Sequence, residues 1–361
     1  MILLLRSALR VPPLAFVVLT LVACGDDGTG VDDRIAGGVD LDVLFAAPTS
    51  AEIAAIAADW ETRTPNAADV VIELDTTVTV LALEARVRVV SHVVDGTVRH
   101  YGAVITPATL AAPAPVLVYA HGGASGVGLD QVLFTVPALG DRAEEFVWVV
   151  PSFRSEPLSF GAREWTSEGT GSPWDRDVDD AIALLDATFD VEPQADSTRV
   201  GVLGFSRGAG VGLLMGIRDE RIDRVVEFFG PTDFFGPYVQ EIVENALDGV
   251  AQDLPGIDDF DRDFLQPLRS GTTDIPAVRL ELVRRSSVLF ADRLPSVQIH
   301  HGTADIVVDV GQAESLITAL EVEGRTEPDV QSFLYDGGTH NPLALIGALE
   351  RTREFLIALL D

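Results

Sequence analysis

Gly204-Phe205-Ser206-Arg207-Gly208 sets a serine between two glycines, with an apolar strand pattern, Arg199 to Leu203, leading in and a small-residue helical pattern leading out. A serine on so sharp a strand-to-helix turn needs small residues two positions before and after it, and it presents its hydroxyl as a nucleophile. A hydroxyl is a poor nucleophile until an imidazole takes its proton and a carboxylate holds that imidazole in the right tautomer. Ser206 is therefore the candidate nucleophile, and an acid and a histidine should follow it in the chain.

Of the six histidines, His92, His100 and His121 precede Ser206, which leaves His300, His301 and His340. His340 lies in a glycine loop, Gly337-Gly338-Thr339-His340, directly after the alternating stretch Val330 to Tyr335. It is the candidate base. His300 and His301 sit at a strand end without a loop to reach from and are expected to be structural. The candidate acid is Asp305, which closes His301-Gly302-Thr303-Ala304-Asp305 and stands 35 residues before His340, room for the helix expected from Val310 to Glu323 and one strand.

Acyl transfer also needs backbone N–H donors for the oxyanion of the tetrahedral intermediate. The strand pattern Pro115 to Ala120 ends in His121-Gly122-Gly123, where the missing side chains let backbone approach a carbonyl. The expected donors are the amide of Gly123, with Gly122 as the alternative, and the amide of Arg207 after the nucleophile.

Together these residues resemble the α/β-hydrolase superfamily, and within it the catalytic domain of the prolyl oligopeptidase and acylaminoacyl-peptidase group. The resemblance runs from about Val87 to Leu360 and is carried by Asp95-Gly96, His121-Gly122-Gly123, Phe160 to Trp165 leading to Asp177-Val178-Asp179-Asp180, the Ser206 motif, His301 to Asp305, and Gly338-Thr339-His340. It implies Ser206 as nucleophile, Asp305 as orienting acid, His340 as base, and Gly123 with Arg207 as oxyanion amides. Two departures stand out. Peptidases of that group carry a β-propeller, which the roughly 85 residues before the first matched strand are too few to form, and Asp309 stands where the family often has proline. The related dienelactone hydrolases use a cysteine nucleophile, whereas the single cysteine here is Cys24.

That cysteine belongs to a different signal. Arg6 and Arg10 precede an apolar run, Leu14 to Ala23, and Leu21-Val22-Ala23-Cys24 resembles a bacterial lipoprotein box, so residues 1–23 are expected to be a cleaved signal peptide with Cys24 lipidated. The acidic stretch 24–34 would be a flexible tether. The implied location is the cell envelope, lipid-anchored, or secreted if Cys24 is not lipidated. A net charge of −31 repels nucleic acid and anionic lipid, so membrane contact is expected only through the anchor.

Thr49 and Glu52 read as the capping box of a helix to about Arg63 in an N-terminal extension, residues 35–86, packed on a catalytic domain, residues 87–361. Asp95-Gly96 joins two antiparallel strands, and strands then alternate with helices. The expected fold is α/β, a mainly parallel sheet flanked by helices, with an N-terminal antiparallel hairpin and a helical cap insertion, residues 236–294, after the sixth strand. Trp165, Phe234, Phe235 and Tyr238 are candidate pocket residues. No spacing of His, Cys or carboxylates suggests a metal, and no cofactor is implied. The expected activity is serine-dependent cleavage of a small carboxylic ester, the alternatives being cleavage of short peptides or acylated amino acids, or a non-catalytic envelope binding module. The sequence carries no signal of oligomeric state.

Overall fold

Strand faces explain the layers. In the run Val116-Leu117-Val118, the two valines pack on one side of a sheet and Leu117 on the other, as the two-residue period of a strand requires. Val147, Val149, Val200 and Val202 join the first face. Trp148, Val150 and Leu203 join the second. Runs that are apolar on both faces belong to strands buried between two helical layers, and the computed structural model has that arrangement.

It describes residues 34–360 apart from 82, 109, 111–112 and 251–254; residues from Arg34 onward form one compact unit. The expected signal peptide, the lipidation site Cys24 and all of the tether but Arg34 lie outside the described residues.

Nine of the described strands form one sheet: β1 (Ala68–Val80), β2 (Leu83–Val94), β3 (Val98–Pro107), β4 (Ala114–Ala120), β5 (Val147–Pro151), β6 (Ala195–Phe205), β7 (Ile222–Phe228), β8 (Ser296–Gly302) and β9 (Val330–Tyr335). Their spatial order is β9-β8-β7-β6-β4-β5-β3-β2-β1. Pairing is parallel from β9 to β5 and antiparallel from β5 to β1. Because β5 and β6 flank β4 on opposite sides, a crevice opens beyond the carboxyl ends of β4 and β6, where ligands bind in sheets of this type. Gly122-Gly123 and Ser206 follow those two ends.

The helices that matter for the site are α1 (Ser50–Thr62), α2 (Leu129–Ala138), α3 (Arg176–Val191), α4 (Arg207–Arg218), α5 (Pro237–Leu247), α6 (Ile275–Arg285), α7 (Gly311–Val322) and α8 (Ala348–Ile357). The expected capping box at Thr49 and Glu52 is present. The expected hairpin is also present, with Val94 paired to Val98 across Asp95-Gly96.

Two expectations need correction. The stretch from residue 68 to 94 is two strands, reversed at Leu81, whose φ is +56°, and β1 pairs with β2 along its length. Residues 68–86, assigned from sequence to a separate extension, are therefore part of the main sheet, and the insertion 236–294 follows its seventh strand. The reversal escapes a reading of composition because β-branched residues continue through both strands.

The glycines of the serine motif are required by close approach. A Cβ on Gly204 would lie 2.4 Å from the Gly208 carbonyl oxygen, and one on Gly208 would lie 2.1 Å from that of Ala120. Gly208→Ala is expected to lower stability by about 1–3 kcal/mol, since the methyl group can be housed only by moving β4 or α4. A urea unfolding midpoint unchanged from the parent would contradict this packing.

Candidate active site

Ser206 joins β6 to α4 with φ +53° and ψ −121°, a conformation costly for a residue with a Cβ and kept only where surrounding contacts enforce it. Those contacts are visible. The Ser206 N–H donates to the Phe228 carbonyl at 2.9 Å, and the Ser206 carbonyl accepts from Ala209 at 2.9 Å. The side chain is then turned out of the sheet. Among the described residues its hydroxyl hydrogen-bonds no protein group, and Ser206 and His340 line the same cavity.

Asp305 and His340, the candidate acid and base, meet because their two loops are laced together. The Ala304 N–H donates to the Gly338 carbonyl at 2.9 Å, and the Gly337 N–H donates to Thr303 Oγ1 at 2.9 Å. Gly302 permits the approach, since a Cβ there would lie 2.2 Å from the Gly338 carbonyl oxygen. This lacing brings His340 Nδ1 to 2.7 Å from Asp305 Oδ2.

Asp305 Oδ1 accepts from the amides of Val307 at 2.8 Å and Val308 at 3.0 Å. Burial pushes the Asp305 carboxyl up, but the bonds from His340, Val308 and Val307 outweigh it and hold it below the ordinary carboxylate value. An ionised carboxylate only accepts, so His340 donates from Nδ1 and its Nε2 is left as a proton acceptor. The ring also rests on Phe229, with centroids 4.2 Å apart.

His300 and His301 have structural roles. Nδ1 of His300 meets the Tyr335 hydroxyl and Nε2 meets Gln298, each at 2.8 Å, and the ring stacks on Phe228. Burial lowers its pKa to about 3, so it stays neutral. His301 donates from Nε2 to the Val308 carbonyl at 2.9 Å. Asp309, the departure from the resembled pattern, is exposed and accepts from Gly311 at 2.8 Å at the start of α7.

Gly122 and Gly123 line the cavity with Ser206. A Cβ on Gly122 would stand 3.1 Å from that of Ser206, and Gly123 has φ +79°. Arg207 supplies the first N–H of α4, which has no partner inside the helix. Both proposed oxyanion segments therefore flank the serine.

Sequence reasoning gave Arg207 only a backbone role, and the structure adds a side-chain one. Its guanidinium is buried, donates to Asp177 Oδ2 at 2.8 Å, pairs with Glu156 and lies 4.8 Å over the Phe153 ring. Burial opposes the charge, but Asp177 and Glu156 outweigh it and hold Arg207 more firmly protonated than usual. Glu156 Oε2 also accepts from the Gly126 amide at 3.0 Å, and Trp174 Nε1 donates to the Arg207 carbonyl at 3.1 Å. One buried arginine thus ties the glycine loop after β4 to the start of α4. The signal available in sequence was the acidic run at Asp177, in the same motif set as Arg207.

Arg207→Met is expected to cost about 3–5 kcal/mol of stability, because it leaves two carboxylates buried without a counter-charge. Chemical denaturation reads this out, and a loss under about 1 kcal/mol would mean that those carboxylates are solvated or protonated at no cost.

The four candidate pocket aromatics divide. Phe234 packs edge-on against Trp174, centroids 5.2 Å apart, and with Tyr238 lines a cavity that reaches Ser206. Phe235, in the same turn, turns away to Phe45 and to the Arg279 guanidinium. Trp165 lies on the short strand Arg163–Thr166 and packs against the second core layer. Neither Phe235 nor Trp165 is among the described residues lining the cavities at Ser206.

Solved structures share this arrangement of layers. Acetyl xylan esterase 1 from Thermoanaerobacterium sp. superposes with a TM-score of 0.56 at 18% identity, over 86% of this chain and 94% of that one. The fold is that of the α/β-hydrolases. An acetyl xylan esterase from Paenibacillus sp. R4 gives 0.54 at 13% identity, over 88% of this chain and 98% of the other. A puromycin-hydrolyzing peptidase from Mycobacterium tuberculosis gives 0.51 at 19% identity; 77% of this chain is covered, but it spans only 46% of the peptidase. No protein-family model matches the sequence, and no curated protein matches it significantly.

Proposed function

We propose that the protein is a serine hydrolase that cleaves a carboxylic ester through an acyl-enzyme. The observation carrying this reading is the bond from His340 Nδ1 to Asp305 beside a strained serine that shares its cavity with the imidazole. In the first half-reaction Ser206 Oγ bonds to the acyl carbon and its proton passes to His340 Nε2. The carbonyl oxygen, now negative, is held by the Gly123 and Arg207 amides. The carbon–oxygen bond to the alcohol then breaks, and the alcohol leaves with the proton from His340. Water repeats the sequence: its proton goes to His340, its oxygen to the acyl carbon, and Ser206 regains a proton as the carboxylic acid departs.

An ester is favoured over a peptide because the correspondences that cover most of both chains are with esterases. A fluorophosphonate probe tests for the activated serine. Labelling of the native protein supports the enzyme reading, and failure to label would favour a binding module. Faster turnover of aminoacyl-nitroanilides than of nitrophenyl esters would replace the esterase with the peptidase. Lipid anchoring through Cys24 at the cell envelope belongs to the same proposal. Metabolic labelling with a radioactive fatty acid is expected to mark the full-length protein and to be lost in Cys24→Ser.

A further inference from the structure

Two apolar cavities meet at Ser206, and they differ in size and in what they share with the base. The smaller, about 50 Å3, lies under α5 and is lined by Trp174, Phe234, Tyr238, Ile242 and Phe260 together with Ser206 and Arg207. The larger, about 590 Å3, lies between α2 and the segment after His340, with walls from Phe134, Leu139, Phe205, Phe229, Leu343 and Leu349. His340 lines the larger one and is not among the lining residues of the smaller.

This asymmetry assigns the two halves of an ester. The imidazole that took the serine proton must deliver it to the departing oxygen, so the alcohol has to lie on the His340 side of the acyl carbon. The acyl chain is left the other side. Resting on the proposed reading of Ser206 as nucleophile, we infer that the substrate is an ester of a short acyl group with a bulky, apolar, uncharged alcohol.

Size fixes the first half. At about 10–15 Å3 of such space per water-sized group, the smaller cavity takes about three to five heavy atoms, an acetyl to a butyryl or valeryl chain. Its far wall is built from side chains in the core, with Phe260 and Phe234 buried, and close-packed walls of this kind yield little to a longer chain.

Chemistry fixes the second half. Among the described residues lining the larger cavity there is no Asp, Glu or Arg, although the chain carries 56 acidic and 25 basic residues. A sugar or a charged peptide end would lose its water there and find few partners. An apolar alcohol would bury its surface against aromatic and aliphatic walls. The cavity opens at an apolar rim, where Leu343 is 77% exposed and Phe134 56%. Large side chains of this kind, exposed on one cleft, mark a surface that an apolar ligand covers.

Two substrate series separate the halves, and a fluorophosphonate run alongside separates this inference from the reading beneath it. Along the acyl series, 4-nitrophenyl butyrate is expected to exceed the octanoate in kcat/KM by at least about tenfold, the chamber being too small for eight carbons. Along the alcohol series, where leaving-group acidity barely changes, octyl acetate is expected to exceed ethyl acetate by at least about 30-fold, since each buried methylene is worth up to about fourfold.

Leu343→Asp, on an exposed side chain and so harmless to folding, is expected to lower the octyl-to-ethyl ratio by about tenfold. Ile242→Ala should raise the octanoate-to-butyrate ratio, and Val239→Ala, in the same wall, does so if the first variant folds poorly. Labelling at Ser206 with equal or reversed preference in either series, or faster release of acetate from glyceryl triacetate than from octyl acetate, overturns the inference and leaves the serine hydrolase standing. Absence of labelling overturns both.

Discussion

Ser206→Ala is expected to lower kcat on ester substrates by on the order of 10^5 while leaving the fold intact, because removing the nucleophile of a triad costs about as much as removing all of it. Alanine also sits more easily than serine in no other respect at this position: the φ of +53° is enforced by the Phe228 and Ala209 hydrogen bonds to the main chain, which survive the substitution. The variant should therefore unfold at nearly the parent temperature. The two readouts together matter, since loss of activity with loss of structure would say nothing about chemistry. A variant that keeps its stability and still turns over ester at more than about a hundredth of the parent rate would remove Ser206 from the mechanism.

Asp305→Asn should come next in size, lowering kcat by on the order of 10^4. The reason lies in how the carboxylate is held. Oδ1 accepts from two amides, Val307 and Val308, so an asparagine must place its carbonyl oxygen there and turn its NH2 toward His340. Nδ1 of His340 then has to accept. Its proton moves to Nε2, the nitrogen that must receive the serine proton, and the base is lost with its geometry unchanged. Asp305→Ala, which leaves the imidazole free to choose its tautomer, should lose no more than the asparagine variant. Equal activity in the parent and Asp305→Asn proteins would show that the His340 tautomer is set elsewhere.

Much of the geometry of the candidate site was legible in the chain because Ser206, Asp305 and His340 each ride on a turn just after a strand. Local spacing alone placed Ser206 after β6, Asp305 after β8 and His340 after β9, and the glycines of the serine motif are required by contacts of 2.1 and 2.4 Å within one turn and its neighbouring strand. The capping box at Thr49 and the reversal at Asp95-Gly96 were legible for the same reason: each is satisfied by residues a few positions apart. Where the reading failed, no local signal existed. The β1–β2 reversal passes through Leu81 without a turn residue described there that would announce it, and Phe234 and Phe235 are indistinguishable until one knows what stands on each side.

The sequence by itself determined which elements form, in what order Ser206, Asp305 and His340 follow their strands, and that a glycine loop precedes them, because turns, caps and strand periods are settled between near neighbours. The tertiary structure alone decided that Arg207 is braced by Asp177 and Glu156 from 30 and 51 residues away, which aromatics face the serine, and that two unequal cavities meet there. Those outcomes depend on which faces of distant elements come together, and side-chain type does not encode the direction in which its neighbour will lie.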